Sequence, residues 1–211
     1  MIPYFNGFFK KLNLKLYFFL LILCFSVSFQ PLANDNIKSL ENVYKFLQEK
    51  NFKDGLEDLQ ALAEENNVEA QLLFSKILIS GDLTPQDFET SYFWASSALL
   101  GGLKKSNTII EKLNEYLTED KIKKIKENLR VFLEKKAFDK DKRAIIQIAK
   151  LYETFLETPD FINAYTWYSI AVAMGIKTAK NKRDKIINEL NEKDLLEAQT
   201  LSIKLFKQIN N

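Results

Sequence analysis

The sequence predicts an all-α protein, an α-α superhelix (solenoid) of about five antiparallel helix hairpins. Three observations predict it. Apolar residues recur three and four apart, as in Ala70, Leu73, Phe74, Ile77 and Leu78, which places them on one face of a helix. Only 6 Gly and 4 Pro occur in 211 residues, too few for a loop-rich or all-β chain. The chain also repeats itself at an offset of 73: Ser91–Lys104 lies over Ala164–Lys177, with Tyr92/Tyr165, Trp94/Trp167, Ser96/Ser169, Ala98/Ala171, Gly102/Gly175 and Lys104/Lys177 identical. Both of its 2 Trp residues fall in register. One residue of slippage upstream aligns Ala70–Gly81 with Ala144–Phe155. A helical unit of this size cannot bury its apolar side alone, so repetition implies stacking.

The opening of the chain reads as an address. Lys10, Lys11 and Lys15 precede the apolar run Leu16–Phe29, whose 14 residues fall short of the roughly 20 that span a bilayer. A basic start and a short apolar middle are the layout of a secretory signal peptide over residues 1–33, with Ala33 the last residue removed and Ser26 and Ser28 offering a second cut. The alternative is an uncleaved N-terminal anchor. Leu23 before Cys24 argues against lipid attachment.

The repeat domain is expected over 34–211, with hairpins at about 36–66, 68–102, 105–137, 142–175 and 178–209. Helices are expected at Ile37–Glu49 and Asp54–Glu65, then Ala70–Ile79 and Asp87–Leu100. Thr84-Pro85 and Thr158-Pro159 are read as an N-cap followed by the first helical residue. Gly102 and Gly175 stand where a left-handed residue closes a helix. Two further helices follow in each unit, Ser106–Leu117 and Glu119–Ala137, then Thr178–Leu190 and Glu192–Gln208. Thr118 and Asn191 are the expected N-caps between them.

Composition excludes several chemistries. The chain has no His, which removes Ser-His-Asp and Cys-His catalysis and any histidine metal site. Its single Cys makes no internal disulfide or thiolate zinc site. Lys+Arg number 30 against 28 Asp+Glu, and three of those bases belong to the export segment, so the remaining chain is slightly acidic and nucleic-acid binding is not expected. No glycine-rich phosphate loop or nucleophile elbow occurs. No catalytic, cofactor-binding or metal residue is therefore assigned.

Three groups of residues could carry binding. Trp94 and Trp167, with Tyr92, Tyr165 and Tyr168, are read as core aromatics wedged between hairpins rather than as a ligand shelf. The helix Glu119–Ala137 carries Lys121, Lys123, Lys124, Lys126, Arg130, Lys135 and Lys136 around Ile122, Ile125, Leu129, Phe132 and Leu133. It is read as a solvated basic face over a core stripe, with weak contact to anionic lipid or an acidic partner as the functional alternative. Glu57-Asp58 and Glu64-Glu65 are read as polar helix faces, not general acid/base pairs. Charge is uneven: residues 35–90 hold 12 acids and 5 bases, whereas 119–143 hold 6 acids and 10 bases, which suggests weak self-association.

Ala70, Phe74, Ser75, Leu78 and Gly81, followed by Asp87, Phe88, Ser91, Trp94, Ala98 and Gly102, resemble the Sel-one-like repeat (SLR), a relative of the tetratricopeptide repeat. In the second unit Ala144, Ile148, Ala149, Tyr152, Asp160, Phe161, Ala164, Trp167, Tyr168, Ala171, Gly175 and Ala179 follow the same pattern. The similarity covers about 51–105 and 142–209. Ser75 and Ala149 replace a first-helix glycine, Phe155 replaces the glycine after that helix, and Asn66 replaces a closing glycine. The cysteine pairs of some exported relatives do not occur here. The resemblance implies a non-enzymatic scaffold or adaptor that binds a protein or peptide, exported and most readily periplasmic. A cell-envelope enzyme or wall-ligand module is the alternative of another class, and a scaffold anchored to the inner membrane is the third.

Overall fold

The computed structural model describes residues 39–211. The apolar run 16–29, the expected cut after Ala33 and the anchor alternative lie outside the described residues. Within them the chain forms ten α-helices: α1 (Leu40–Gln48), α2 (Phe52–Glu64), α3 (Val68–Ser80), α4 (Phe88–Leu100), α5 (Asn107–Leu113), α6 (Glu119–Phe138), α7 (Lys142–Lys150), α8 (Phe161–Ala173), α9 (Ala179–Ile186) and α10 (Glu192–Asn210). No strand occurs among the described residues, and no helix there is long and apolar enough to cross a membrane.

The helices pack in chain order, as the predicted solenoid requires. α1 lies on α2, α2 on α3 and α3 on α4; α6 lies on α7 and α7 on α8. The two repeat units share one plan, in which a first helix (α3, α7) pairs with a central helix (α4, α8). The short third helix and the long fourth both rest on that central helix. The helices expected as hairpins over 105–137 and 178–209 are thus joined chiefly through the central helix that each touches.

Sequence periodicity explains this arrangement. The central helices are apolar or small almost all round, and Tyr92, Trp94, Ala95, Ala98 and Leu100 on α4 are buried, as are Ala164, Tyr165, Trp167, Tyr168, Ile170 and Ala171 on α8. A helix buried on several sides needs several neighbours. The long α6 instead carries a single stripe, Ile125, Leu129, Leu133 and Ala137, that is buried along its length.

Helix ends are closed by one recurring device. α1, α2, α4, α6 and α8 each end in a residue of positive φ (Lys50, Asn66, Gly102, Lys140 and Gly175). In each case its N–H and the next one donate to carbonyls three and five residues back, as in Asn66 to Ala63 at 3.1 Å and Asn67 to Leu62 at 3.0 Å. Gly102 and Gly175 do what the sequence predicts, and Asn66 adopts the left-handed cap at φ 64. At the starts, Thr118 and Asn191 cap α6 and α10 as expected.

The caps of the central helices differ from the expectation. Asp87 and Asp160, not Thr84 and Thr158, accept from the amides of Thr90 and Asn163, both at 2.9 Å. Each Asp is also fixed by its own N–H, which donates to Leu78 or Tyr152 on the preceding helix at 3.1 and 2.9 Å. That tether sets the helix start after the proline, so Thr-Pro remains in the loop.

Gly101 makes the closest approach of the described glycines. A Cβ there would lie 2.2 Å from Cγ1 of Val68 and 3.2 Å from the Gln147 side-chain nitrogen. Gly101→Ala is expected to destabilise by about 1–3 kcal/mol through overpacking, read by urea unfolding; an unchanged midpoint would place α3 and α7 farther from the end of α4.

Candidate binding groove

The one-residue slip between the repeats has a structural counterpart. In the first unit α3 ends at Gly81 with φ 76. In the second, Phe155 holds that place, and the helix widens into a π turn over Leu151–Phe155, closed by Leu156 N–H donating to Leu151 O at 3.2 Å. A π turn takes up an extra residue, a device found often at functional sites. It brings the Phe155 ring against α6, under the ammonium of Lys126 at 4.9 Å from the ring centroid.

Beside this contact, α6 and the segment after the π turn enclose a cleft of about 650 Å³ lined by Glu119, Ile122, Lys123, Lys126, Glu127, Leu156, Glu157 and Thr158. The volume is in the range of ligand and side-chain pockets. Ile122 and Leu156 supply apolar walls, and Lys123 and Lys126 supply cations. Burial pushes the Lys126 ammonium below its usual pKa, opposed by Glu157. Among the described residues no carboxylate comes within ion-pair distance of it.

Two other cations of the basic helix are neutralised. Arg130 forks onto Glu127 at 2.7 and 2.9 Å and reaches Glu134 at 2.6 Å, and the bond to Glu127 above all holds its guanidinium protonated beyond its usual range. Lys121 pairs with Glu89 on α4 at 2.6 Å, and Lys136 lies over Phe132. The basic face expected over 119–137 is therefore a partly satisfied surface with one desolvated cation at its cleft.

The aromatic residues are core. Trp94 and Trp167 are 6% and 1% exposed, and Tyr92, Tyr165 and Tyr168 are buried with them. Trp94 packs against Phe74, Phe93 and Phe132 at 6.2, 4.8 and 5.7 Å between ring centroids. Trp167 meets Phe138 at 6.3 Å. Of the adjacent acids, Glu57, Glu64 and Glu65 are exposed, and none of the four lines the cleft.

Two polar clusters have no counterpart in the sequence pattern. Asn66 donates to Gln147 at 2.7 Å and to Asp141 at 2.8 Å, and accepts from Gln71 at 3.1 Å. Gln147 donates onward to Ser97 O at 3.0 Å, and Arg143 to Asn66 O at 2.6 Å. This buried clamp joins α2, α4 and α7. In the second cluster the Tyr168 hydroxyl donates to Glu153 at 2.5 Å, and Lys182 pairs with the same carboxylate at 3.1 Å. No sequence signal marks either, since apart from Gln71 and Asn66, five residues apart, their partners lie 15 to 81 residues apart.

Burial first, then the bond to Glu153, raises the Tyr168 pKa above its ordinary 10.0. The folded state holds that proton more tightly than the unfolded chain. Its contribution is therefore complete below pH about 10 and declines as the pH rises past it. Tyr168→Phe is expected to cost about 0.5–1.5 kcal/mol near neutral pH and to flatten the alkaline loss of stability, measured by urea unfolding across pH.

Neither a protein-family profile nor a curated protein matches the chain. Among solved structures, the chain is similar to a protective antigen of uropathogenic Escherichia coli displaying an SLR fold, with a TM-score of 0.37 and 17% identity. The match covers 74% of this chain and 41% of the antigen, so the chain spans well under half of that protein's length.

Proposed function

We propose that the protein is an exported helical-repeat scaffold that binds a protein or peptide partner in the cleft between α6 and residues 155–158, with no catalysis of its own. The observation that carries this is Lys126: a half-buried ammonium with no carboxylate at ion-pair distance among the described residues, set between an aromatic ring and a cleft with apolar walls. Desolvating a cation costs stability that the more distant Glu157 offsets only in part, and an acidic side chain or terminus of a partner, followed by an apolar residue against Ile122 and Leu156, offsets the rest on binding. The segment 1–33 supports export, most readily to the periplasm, and the solenoid's extended surface suits an adaptor.

The prediction is a trade-off between stability and function. Lys126→Met keeps the packing of the stem and removes the charge, so the melting temperature is expected to stay or rise while partner capture falls. The measurement is crosslinking and capture from the native cell envelope with the wild-type and Lys126→Met proteins. Equal recovery of the same partner with both would remove Lys126 from the binding site. An activity on wall fragments without any partner would contradict the scaffold reading.

A further inference from the structure

The cleft between α6 and residues 155–158 carries both signs of charge. Three carboxylates and two ammoniums line it: Glu119, Glu127 and Glu157 with Lys123 and Lys126. They are not equally available. Glu127 is taken up by the fork of Arg130, and Glu157 acts on Lys126 from beyond ion-pair distance. Glu119 and Lys123 are exposed, and neither forms an ion pair among the described residues.

Along α6 the order is Glu119, then Ile122 with Lys123, then Lys126. One free acid therefore stands at the N-terminal end of the cleft, and the apolar wall and the cations follow it. Glu119 and Lys126 are seven positions apart, which is about 10 Å at the helical rise. An extended peptide advances about 3.3 Å per residue, so roughly three steps carry it from cation past wall to acid. A cleft of about 650 Å³ has room for a segment of that length.

We propose that the partner segment is an extended peptide carrying both signs of charge: an acid for Lys126, an apolar residue for Ile122 and Leu156, and a base for Glu119, within four consecutive positions. The proposal rests on the cleft being the binding site and adds the chemistry of what fills it. A uniformly acidic segment also satisfies the two lysines, but it sets like charge against Glu119 and Glu157, which disfavours it. The base is the element that discriminates.

The probes are two acetylated and amidated peptides bearing a neutral fluorophore, Gly-Ser-Asp-Gly-Leu-Lys-Gly-Ser and the same chain with Glu in place of Lys. Binding to the full protein is read by fluorescence anisotropy at low salt. The Lys peptide is expected to bind about three- to tenfold more tightly, the scale of an exposed ion pair gained and a like-charge contact avoided. Glu119→Lys is expected to invert that preference. Asp120→Lys reverses the neighbouring first-turn acid, which lines no part of the cleft, and is expected to leave the preference unchanged. Both residues are exposed, so circular dichroism is expected to show both variants folded. Lys126→Met is expected to weaken both peptides alike. Equal binding of the two peptides, or a preference for the acidic one, overturns the proposal. So does inversion by Asp120→Lys as well, because the preference then belongs to the general field of the helix end. Binding of neither peptide also overturns it, and adducts formed at the cleft rim in the native envelope would then show that the cleft receives a partner of other chemistry. Undiminished binding of the peptides to Lys126→Met would instead remove the cleft itself as the site.

Discussion

Replacing Trp94 by alanine is expected to lower stability by about 3–5 kcal/mol, as truncation of a large aromatic in a packed core does. The indole is 6% exposed and sits among Phe74 of α3, Phe93 of its own helix and Phe132 of α6. It therefore joins the first, central and fourth helices of its unit, and no small shift of one helix fills the gap left by its removal. Edge-on ring pairs add to the area lost. For a chain of this size each kcal/mol moves the melting temperature by about 2–4 °C, so the change is large in a thermal scan. A melting temperature equal to that of the wild type would place Trp94 on the surface and dissolve the argument that the repeated tryptophans are core.

Asn66→Ala is expected to be nearly as damaging, for different reasons. Asn66 adopts φ 64, a conformation in which an ordinary side chain costs about 1–2 kcal/mol. Its amide group is also the node to which Gln71, Asp141 and Gln147 all bond. Removal leaves the buried Gln147 oxygen without that donor, a loss of about 1–3 kcal/mol for an unsatisfied buried group. The two effects separate experimentally. Asn66→Gly relieves the backbone strain and still lacks the amide, so it is expected to recover part of the loss in urea unfolding, and recovery of all of it would show the clamp to contribute nothing.

What the sequence reveals and conceals follows from the range of each interaction. Trp94 and Trp167, the left-handed Gly102 and Gly175 and the caps Thr118 and Asn191 are readable because spacing or local geometry specifies them within a few residues. Lys50 and Lys140 take the same left-handed place as the glycines, yet lysine carries no such signal, and the closing hydrogen bonds override its preference. The caps expected at Thr84 and Thr158 fall on Asp87 and Asp160 instead, because the tethers from Asp87 to Leu78 and from Asp160 to Tyr152 cross between helices. The clamp around Asn66 needs residues 75 to 81 positions apart, which only stacking brings together. The cleft has the same origin: Phe155 stood out as a departure, but the π turn that carries it to Lys126 depends on α6 lying against α7.

The central claim is that a partner enters between α6 and residues 155–158. A photo-crosslinking side chain placed at the exposed Lys123 or Thr158 rim of the cleft, in the native envelope, tests it most directly. A specific protein adduct is expected from both rim positions and none from Lys53 on α2, which lines no part of the cleft. Adducts of equal yield from Lys53, or none from either rim position while the protein is folded and present, would contradict it.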